Sequence, residues 1–404
     1  MKYVVILGDG MSDYPVARLG GKTPLQAARK PTMDRIAREG VCGLLKTIAD
    51  GMPTGSETAN LAVMGYDPCK VFQGRGVLEA ASMGVDIGPD EMGMRCNLIC
   101  IDNQGRIKNH SAGHISNEES AEIFRTLQAE LGSELIHFYS GVSYRNLLVA
   151  KGLDTRLDCA PPHDHPGENA EALLIRPQVP EAKATADLLN DLTRRSWELL
   201  KNHPVNQRRR AAQKDPGNSI WLWSPGRRPE MWTFKDRFGV TGAVISAVDL
   251  IRGIGVYAGL KIIKVPGATG LYNTHYEGKA DACLAALSDV DFCYVHVEAP
   301  DEAGHEGDLD LKIRTIEDLD ARLVGRILQG LEVSKMEAVV AILPDHPTPV
   351  ELRIHVRDAV PFAIRVPGQK PDAVQTYDEA SCVSGGYGLL QGDQFIRAVF
   401  AGKA

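Results

Sequence analysis

The chain has 404 residues, 44% of them hydrophobic and 24% charged, which fits a soluble globular protein whose length favours two domains over a single core. A formal net charge of −7 excludes general nucleic-acid binding, and the eight scattered cysteines, closest at Cys96 and Cys100, lack the second pair that a zinc site would need. The N-terminal apolar run YVVIL is too short for a signal peptide and no later segment approaches a membrane span, so the expected setting is the cytoplasm, with no membrane partner.

In chain order, YVVIL (3–7) predicts a buried strand that ends in Gly8-Asp9-Gly10, and a helix is predicted over 31–39. The Pro- and Gly-rich approach DGMPTGSETAN then leads into a helix over 57–64. Ser56 lies where loop becomes helix. A serine there either caps the helix or is an exposed nucleophile, and this stretch alone leaves both readings open.

Residues from about 78 to 265 are different in character: shorter strand candidates (MRCNLIC, RNLLVA, SIWLW), helices over 118–131, 182–201 and 242–252, and basic clusters at Arg194-Arg195, QRRR (207–210) and GRR (226–228). Beyond them come helices over 279–287 and 311–330 and the apolar strands DFCYVHV (291–297) and AVVAIL (338–343). Strand–helix alternation at both ends predicts an α/β fold, a parallel sheet sandwiched by helices. The expected division is a core domain of 1–77 and 266–404 carrying an inserted smaller α/β domain, 78–265.

Open α/β sheets collect reactive groups at the carboxyl ends of their strands. The three apolar strands are followed by Gly8-Asp9-Gly10, by EAPDEAGHEGD and by PDHPTP. If Pro300 opens a helix, Asp301 and His305, four apart, share one face. Asp345 and His346 are adjacent at the third strand end, and His355 follows among apolar neighbours. Each residue has an ordinary reading as a cap, a surface histidine or a packed histidine. Together, three aspartates and three histidines after successive buried strands are the ligand set of a pair of divalent metal ions. Two cations beside a serine hydroxyl would lower its pKa and stabilise transferring charge, which shifts Ser56 towards the nucleophile reading.

LGDGMSD, TGSETANLAVMGYDP, GRGVLEAA, DEAGH and PDHPTP, with NHSAGHIS, GVSYRNLLV and GATGLYNTHYEGKAD, resemble the archaeal-type cofactor-independent phosphoglycerate mutases of the alkaline phosphatase superfamily, over nearly the whole chain. The resemblance implies a glycolytic isomerase with a phosphoserine intermediate on Ser56. One metal would be shared by Asp9, Ser56, Asp345 and His346, and the other held by Asp301, His305 and His355. Manganese is favoured by the mixed carboxylate and imidazole set, with zinc and magnesium as alternatives. The partner it implies is a small phosphorylated anionic metabolite, gripped by His110, His114, Arg145, Arg209 and Lys279. Two departures stand out: His114 replaces an arginine of the family's SAGRIS, and Glu298 stands where relatives tend to carry lysine. With the tryptophans of SIWLWSPGRRP, these departures also resemble a sister branch of proposed homoserine kinases, which leaves a homoserine kinase-like phosphotransferase as the alternative. No GxxxxGK[ST] loop is present, so such a kinase would not use a P-loop.

Overall fold

The computed structural model describes residues 1–401, which form two compact units: residues 1–72 together with those from 230 onward, and residues 73–229. The first unit is built on an eight-stranded sheet. Its strands are β1 (Lys2–Gly8), β2 (Val41–Lys46), β3 (Gly242–Ile245), β4 (Lys261–Ile263), β5 (Phe292–Val297), β6 (Ala338–Leu343), β7 (Val360–Arg365) and β8 (Gly388–Gln391). They lie in the order β4-β3-β5-β1-β6-β7-β2-β8.

β1 is central and runs parallel to both neighbours, with Val4 opposite Cys293 on β5 and Val340 on β6. All of β5 and β6, and all of β1 after Lys2, is buried. Helices cover both faces, which is why these strands read as continuous apolar runs instead of alternating ones. Because the three strands are adjacent and parallel, Asp9, Glu298 and Asp345 emerge at one edge of the sheet. The sheet is not wholly parallel: β7 runs antiparallel to both β6 and β2.

The sequence-based border of the second unit needs correction. Residues 230–265 belong to the first unit, because β3 pairs in parallel with β5 and with β4. The helix predicted over 242–252 is in fact β3 followed by a helix at Asp249–Tyr257. The helix predicted over 311–330 is interrupted by a π-helical turn, Leu319–Val324.

The second unit is an α/β unit with an antiparallel sheet. Its long strand Glu91–Ile101 pairs with Ile107–Asn109, Arg145–Lys151 and Ser219–Gly226, and Ile136–Val142 pairs with Arg145–Lys151. Helices Asn117–Leu131 and Lys183–Lys201 bury Leu127 and Leu189 in a core with Met94 and Leu148. The first of them begins with a capping box: Ser116 Oγ accepts from Glu119 N, and the Glu119 carboxylate accepts from Ser116 N. No helix among the described residues is long and apolar enough to cross a membrane.

Candidate active site

Ser56 is the first residue of α1 (Ser56–Val63), and the N-cap position falls to Gly55, whose carbonyl accepts from Thr58 N and Ala59 N. The Ser56 hydroxyl caps nothing; it lies 3.2 Å from His346 Nε2 and is 9% exposed. The hydroxyl is therefore turned to the imidazole and not to the helix end. One turn along α1, Asn60 donates to the Ser56 carbonyl (2.9 Å) and to Asp345 Oδ2 (2.8 Å). Its own oxygen accepts from the Tyr294 hydroxyl on β5.

The loop after β1 turns at Gly10, where φ is +58° and a Cβ would collide with the Asp301 carboxylate and the Thr348 hydroxyl. Gly10 N and His346 N both donate to Asp345 Oδ1, at 3.2 and 2.9 Å. Thr47 donates to the Asp345 carbonyl. Both loops are therefore fixed around a fully buried pair of carboxylates, Asp9 and Asp345. After β5, Pro300 opens α3 (Ala299–Glu306), and the four-residue spacing puts Asp301 Oδ2 3.2 Å from His305 Nε2. His355 Nε2 approaches Asp301 Oδ1 at 3.4 Å.

The protonation pattern of the imidazoles follows from their outer nitrogens. His305 Nδ1 lies 3.0 Å from the Arg353 carbonyl and His355 Nδ1 lies 3.1 Å from the Thr54 carbonyl. A carbonyl only accepts, so each Nδ1 carries a proton, and Nε2 is the nitrogen turned to Asp301, able to offer a lone pair once the ring is neutral. Thr348 donates its hydroxyl hydrogen to Asp301, so its oxygen accepts from His346 Nδ1 (3.2 Å), and His346 Nε2 keeps its lone pair. His305 Nε2 and His355 Nε2 nevertheless stand 2.8 Å apart. Two imidazole nitrogens this close to one another and to the Asp301 carboxylate form a set that a cation can take up once the rings are neutral.

The ligand atoms fall into groups that suit metal ions. Asp9, Asp345 and His346 converge within 4.8 Å of one another, and so do Asp301, His346 and His355. Asp9 Oδ1 is buried and has no hydrogen-bond partner among the described residues. An orphaned buried carboxylate oxygen is costly unless something charged meets it. The residues present therefore fit divalent cations.

The electrostatics agree. Burial, reinforced by Asp345, Glu298 and Asp301, pushes the Asp9 carboxyl well above the usual carboxylate range. Burial would also raise Asp301, but hydrogen bonds from His305 and His355 outweigh it and hold that carboxyl well below the usual range. His305 is raised to about 9 by its bond to Asp301, and His346 is lowered by burial. Glu298 is raised to about 8, by burial first and then by Asp301 and Asp345. A concentration of buried carboxyl groups of this kind suits positive charge.

Asp9, Ser56, Asp345, His346, Asp301, His305 and His355 are thus brought together as the sequence implied. The residues proposed to grip the substrate behave differently. His110, His114 and Arg145 belong to the second unit, where His110 lies beside Tyr144 (5.7 Å between rings) and His163 (6.1 Å), and Arg145 lies over the Tyr144 ring. His114 and Arg145 are exposed, and burial and His114 together lower the His110 pKa. Arg209 is not available to a ligand. It is 2% exposed, paired with Glu119, and its guanidinium donates to the carbonyls of Ala112, Gly113 and Asp215. It braces the turn that carries His114. Lys279 is fully buried in α2 (Tyr276–Ala286), where its Nζ donates to the His296 carbonyl. The Glu298 charge opposes, but does not cancel, the lowering of the Lys279 pKa by burial.

Sequence reasoning missed Asn60, Thr348, His296 and Lys312. Asn60 carried a signal, one helical turn after Ser56. His296 carried another, an imidazole inside a fully buried strand.

The comparisons with known proteins agree with this geometry. The family model described as 2,3-bisphosphoglycerate-independent phosphoglycerate mutase matches residues 37–206. A curated protein of that name from Methanosarcina barkeri is 49% identical, with 100% of each chain covered. The chain belongs to this family. A further mutase of the family, from Methanothermobacter thermautotrophicus, is 49% identical over 98% of this chain and 96% of its own. Among solved structures, a protein of Pyrococcus horikoshii superposes with a TM-score of 0.81 at 30% identity, covering 99% of this chain and 97% of that one. The cofactor-independent phosphoglycerate mutase of Thermoplasma acidophilum superposes at 0.70 with 26% identity, covering 100% of both. The mutase fold is thus that of this chain.

Proposed function

We propose that the protein interconverts 2-phosphoglycerate and 3-phosphoglycerate through a phosphoserine on Ser56, at a site that holds two divalent cations. The observation that carries the reading is the Ser56 hydroxyl, released from capping and set 3.2 Å from Nε2 of His346, the imidazole shared by two groups of carboxylates and imidazoles. Asp9, Asp345, His346 and Ser56 would hold one cation, and Asp301, His305 and His355 the other. Manganese suits this mixed oxygen and nitrogen set. Bound cations supply a lowered pKa for the serine hydroxyl and neutralisation of charge on the phosphoryl oxygens.

Ser56 Oγ attacks phosphorus, the bond from phosphorus to the glycerate oxygen breaks, and that oxygen takes up a proton in exchange for the one Ser56 loses. Glycerate reorients, its other hydroxyl attacks the phosphoserine, and Ser56 regains its proton. The N–H groups at the start of α1 point a favourable partial charge at the anion. Asn60 holds Ser56 and Asp345 at fixed separation through both reversals, which is the positioning that transfer in both directions requires.

A coupled enolase assay tests this directly: metal-loaded protein given 3-phosphoglycerate should make 2-phosphoglycerate, and Ser56→Ala should not. Turnover retained in Ser56→Ala would remove the phosphoserine from the account. The homoserine kinase alternative has no support in the names of the relatives described above, all of the curated ones being mutases.

A further inference from the structure

A fourth imidazole, His296, faces the same site with the opposite polarity. It lies near the carboxyl end of β5 and is fully buried. Its Nε2 is 2.8 Å from Asp9 Oδ2, and its Nδ1 is 3.2 Å from the Ser246 hydroxyl. With Asp9 ionised as a metal ligand its oxygen only accepts, so His296 Nε2 carries the proton. Nδ1 is then an acceptor and takes the Ser246 hydroxyl hydrogen. Ser246 Oγ keeps its remaining lone pairs for Val248 N, which donates to it at 3.0 Å. The chain Val248 N–H to Ser246 to His296 to Asp9 therefore runs in one direction. His346 holds the proton on Nδ1 and leaves Nε2 open; His296 does the reverse.

We propose that His296, oriented by Ser246, is a positioning residue for Asp9 and not a metal ligand. Its bond captures Oδ2 and so turns Oδ1, which has no partner among the described residues, towards His346 Nε2 at 3.5 Å. Lys279 secures the other end of the arrangement by holding the His296 carbonyl at 3.0 Å. Asp9 is the one carboxylate of the Asp9–Asp345–His346 group that the loop backbone does not restrain. Among the described residues, Asp345 accepts the N–H groups of Gly10 and His346, whereas the bond that fixes Asp9 Oδ2 comes from this imidazole. Hydrogen bonds of this kind, one shell behind a ligand, typically alter metal affinity by ten- to a hundredfold. Asp9, His296 and Glu298 also lie close enough together to suggest a third cation site. The proton on Nε2 argues against that use.

The inference rests on the two-cation reading, and the test separates the two. Manganese binding to purified, metal-stripped protein is measured by calorimetric titration, with bound ions counted by elemental analysis and the manganese resonance spectrum recorded. Wild type should take up two ions. In His296→Ala, one of the two should bind ten- to a hundredfold more weakly with an altered spectrum, while the other keeps its affinity. His296→Gln, whose amide can still donate to Asp9, should recover much of the loss. Ser246→Ala should show the same selective loss to a smaller degree, and it remains informative if His296→Ala does not fold. Wild type that binds no ion would sink the two-cation reading and this inference together. Two ions with unchanged affinities in folded variants would overturn the inference alone. Three ions in wild type falling to two in His296→Ala would overturn it in favour of direct ligation.

Discussion

The strongest single restraint on the two loops that carry Asp9 and His346 is predicted to be Lys312. It lies in α4 (Leu309–Asp318), is 0% exposed, and donates to the Ser12 carbonyl (3.1 Å), Asp13 Oδ2 (2.8 Å) and the Thr348 carbonyl (2.8 Å). All three ammonium hydrogens are used. Ser12 and Asp13 follow Asp9, and Thr348 follows His346, so one side chain ties together the loops that carry both. Lys312→Met keeps the volume of the stem but leaves two buried carbonyls short of a donor and the Asp13 carboxylate with only the Tyr14 and Val350 N–H groups. Removing one partner of a buried ion pair costs about 3–5 kcal/mol. At roughly 2 °C per kcal/mol for a unit of this size, the melting point of the first unit should fall by about 6–10 °C. Differential scanning calorimetry measures it. The double change Asp13→Asn with Lys312→Met should lose less than the sum of the single changes, because it removes the uncompensated charge. A Lys312→Met protein that melts within about 1 °C of wild type would refute the reasoning.

Other consequences can be checked in the same preparations. Tyr294→Phe removes the donor to Asn60 Oδ1 and should cost about 1–3 kcal/mol of stability, read by urea unfolding; a neutral result would mean the amide is held by its other two bonds alone. Burial pushes the Lys279 ammonium down to about 8. The unfolded chain, with a lysine pKa of about 10.4, then binds more protons between those values, so wild-type stability relative to Lys279→Met should rise as pH climbs from about 8 to about 10. A difference that stays constant over that window would show the lysine unperturbed. Arg209→Lys should fail to restore the stability lost in Arg209→Ala, because an ammonium cannot span Glu119 and three carbonyls; the transition of the second unit in calorimetry reports this. Chelation should lower the melting point of the first unit and free manganese at about a hundred times its dissociation constant should restore about 2.7 kcal/mol, an effect absent if the site binds no cation.

What the sequence revealed, and what it hid, divides along physical lines. The three central strands were legible because burial on both faces leaves nothing but apolar residues, and the groups after them were legible because adjacent parallel strands end at one edge. The spacing of Asp301 and His305 was legible because Pro300 does open a helix. β3 was not: GAVISAVDLIRG satisfies a helical period as well as a strand, and reading it as a helix displaced the border of the second unit to 265. β7 was missed because an antiparallel strand at that position has no local mark in VPFAIR. The burial of Arg209 and Lys279 was hidden for a different reason. A basic residue looks the same in sequence whether it meets a ligand or a carbonyl, and only their burial separates the two. The roles of His296 and Thr348 depend on which nitrogen or oxygen each one faces, which no spacing encodes.

The central claim is that Ser56 carries the phosphoryl group. The most direct measurement is an acid quench of the manganese-loaded protein turning over 3-phosphoglycerate, followed by peptide mass analysis. The account predicts one phosphoryl group on the peptide that contains TGSETAN, located on Ser56, and none in the Ser56→Ala protein, which should also be inactive. Steady conversion to 2-phosphoglycerate with a phosphoryl group on another residue, or with Ser56→Ala still active, would contradict it.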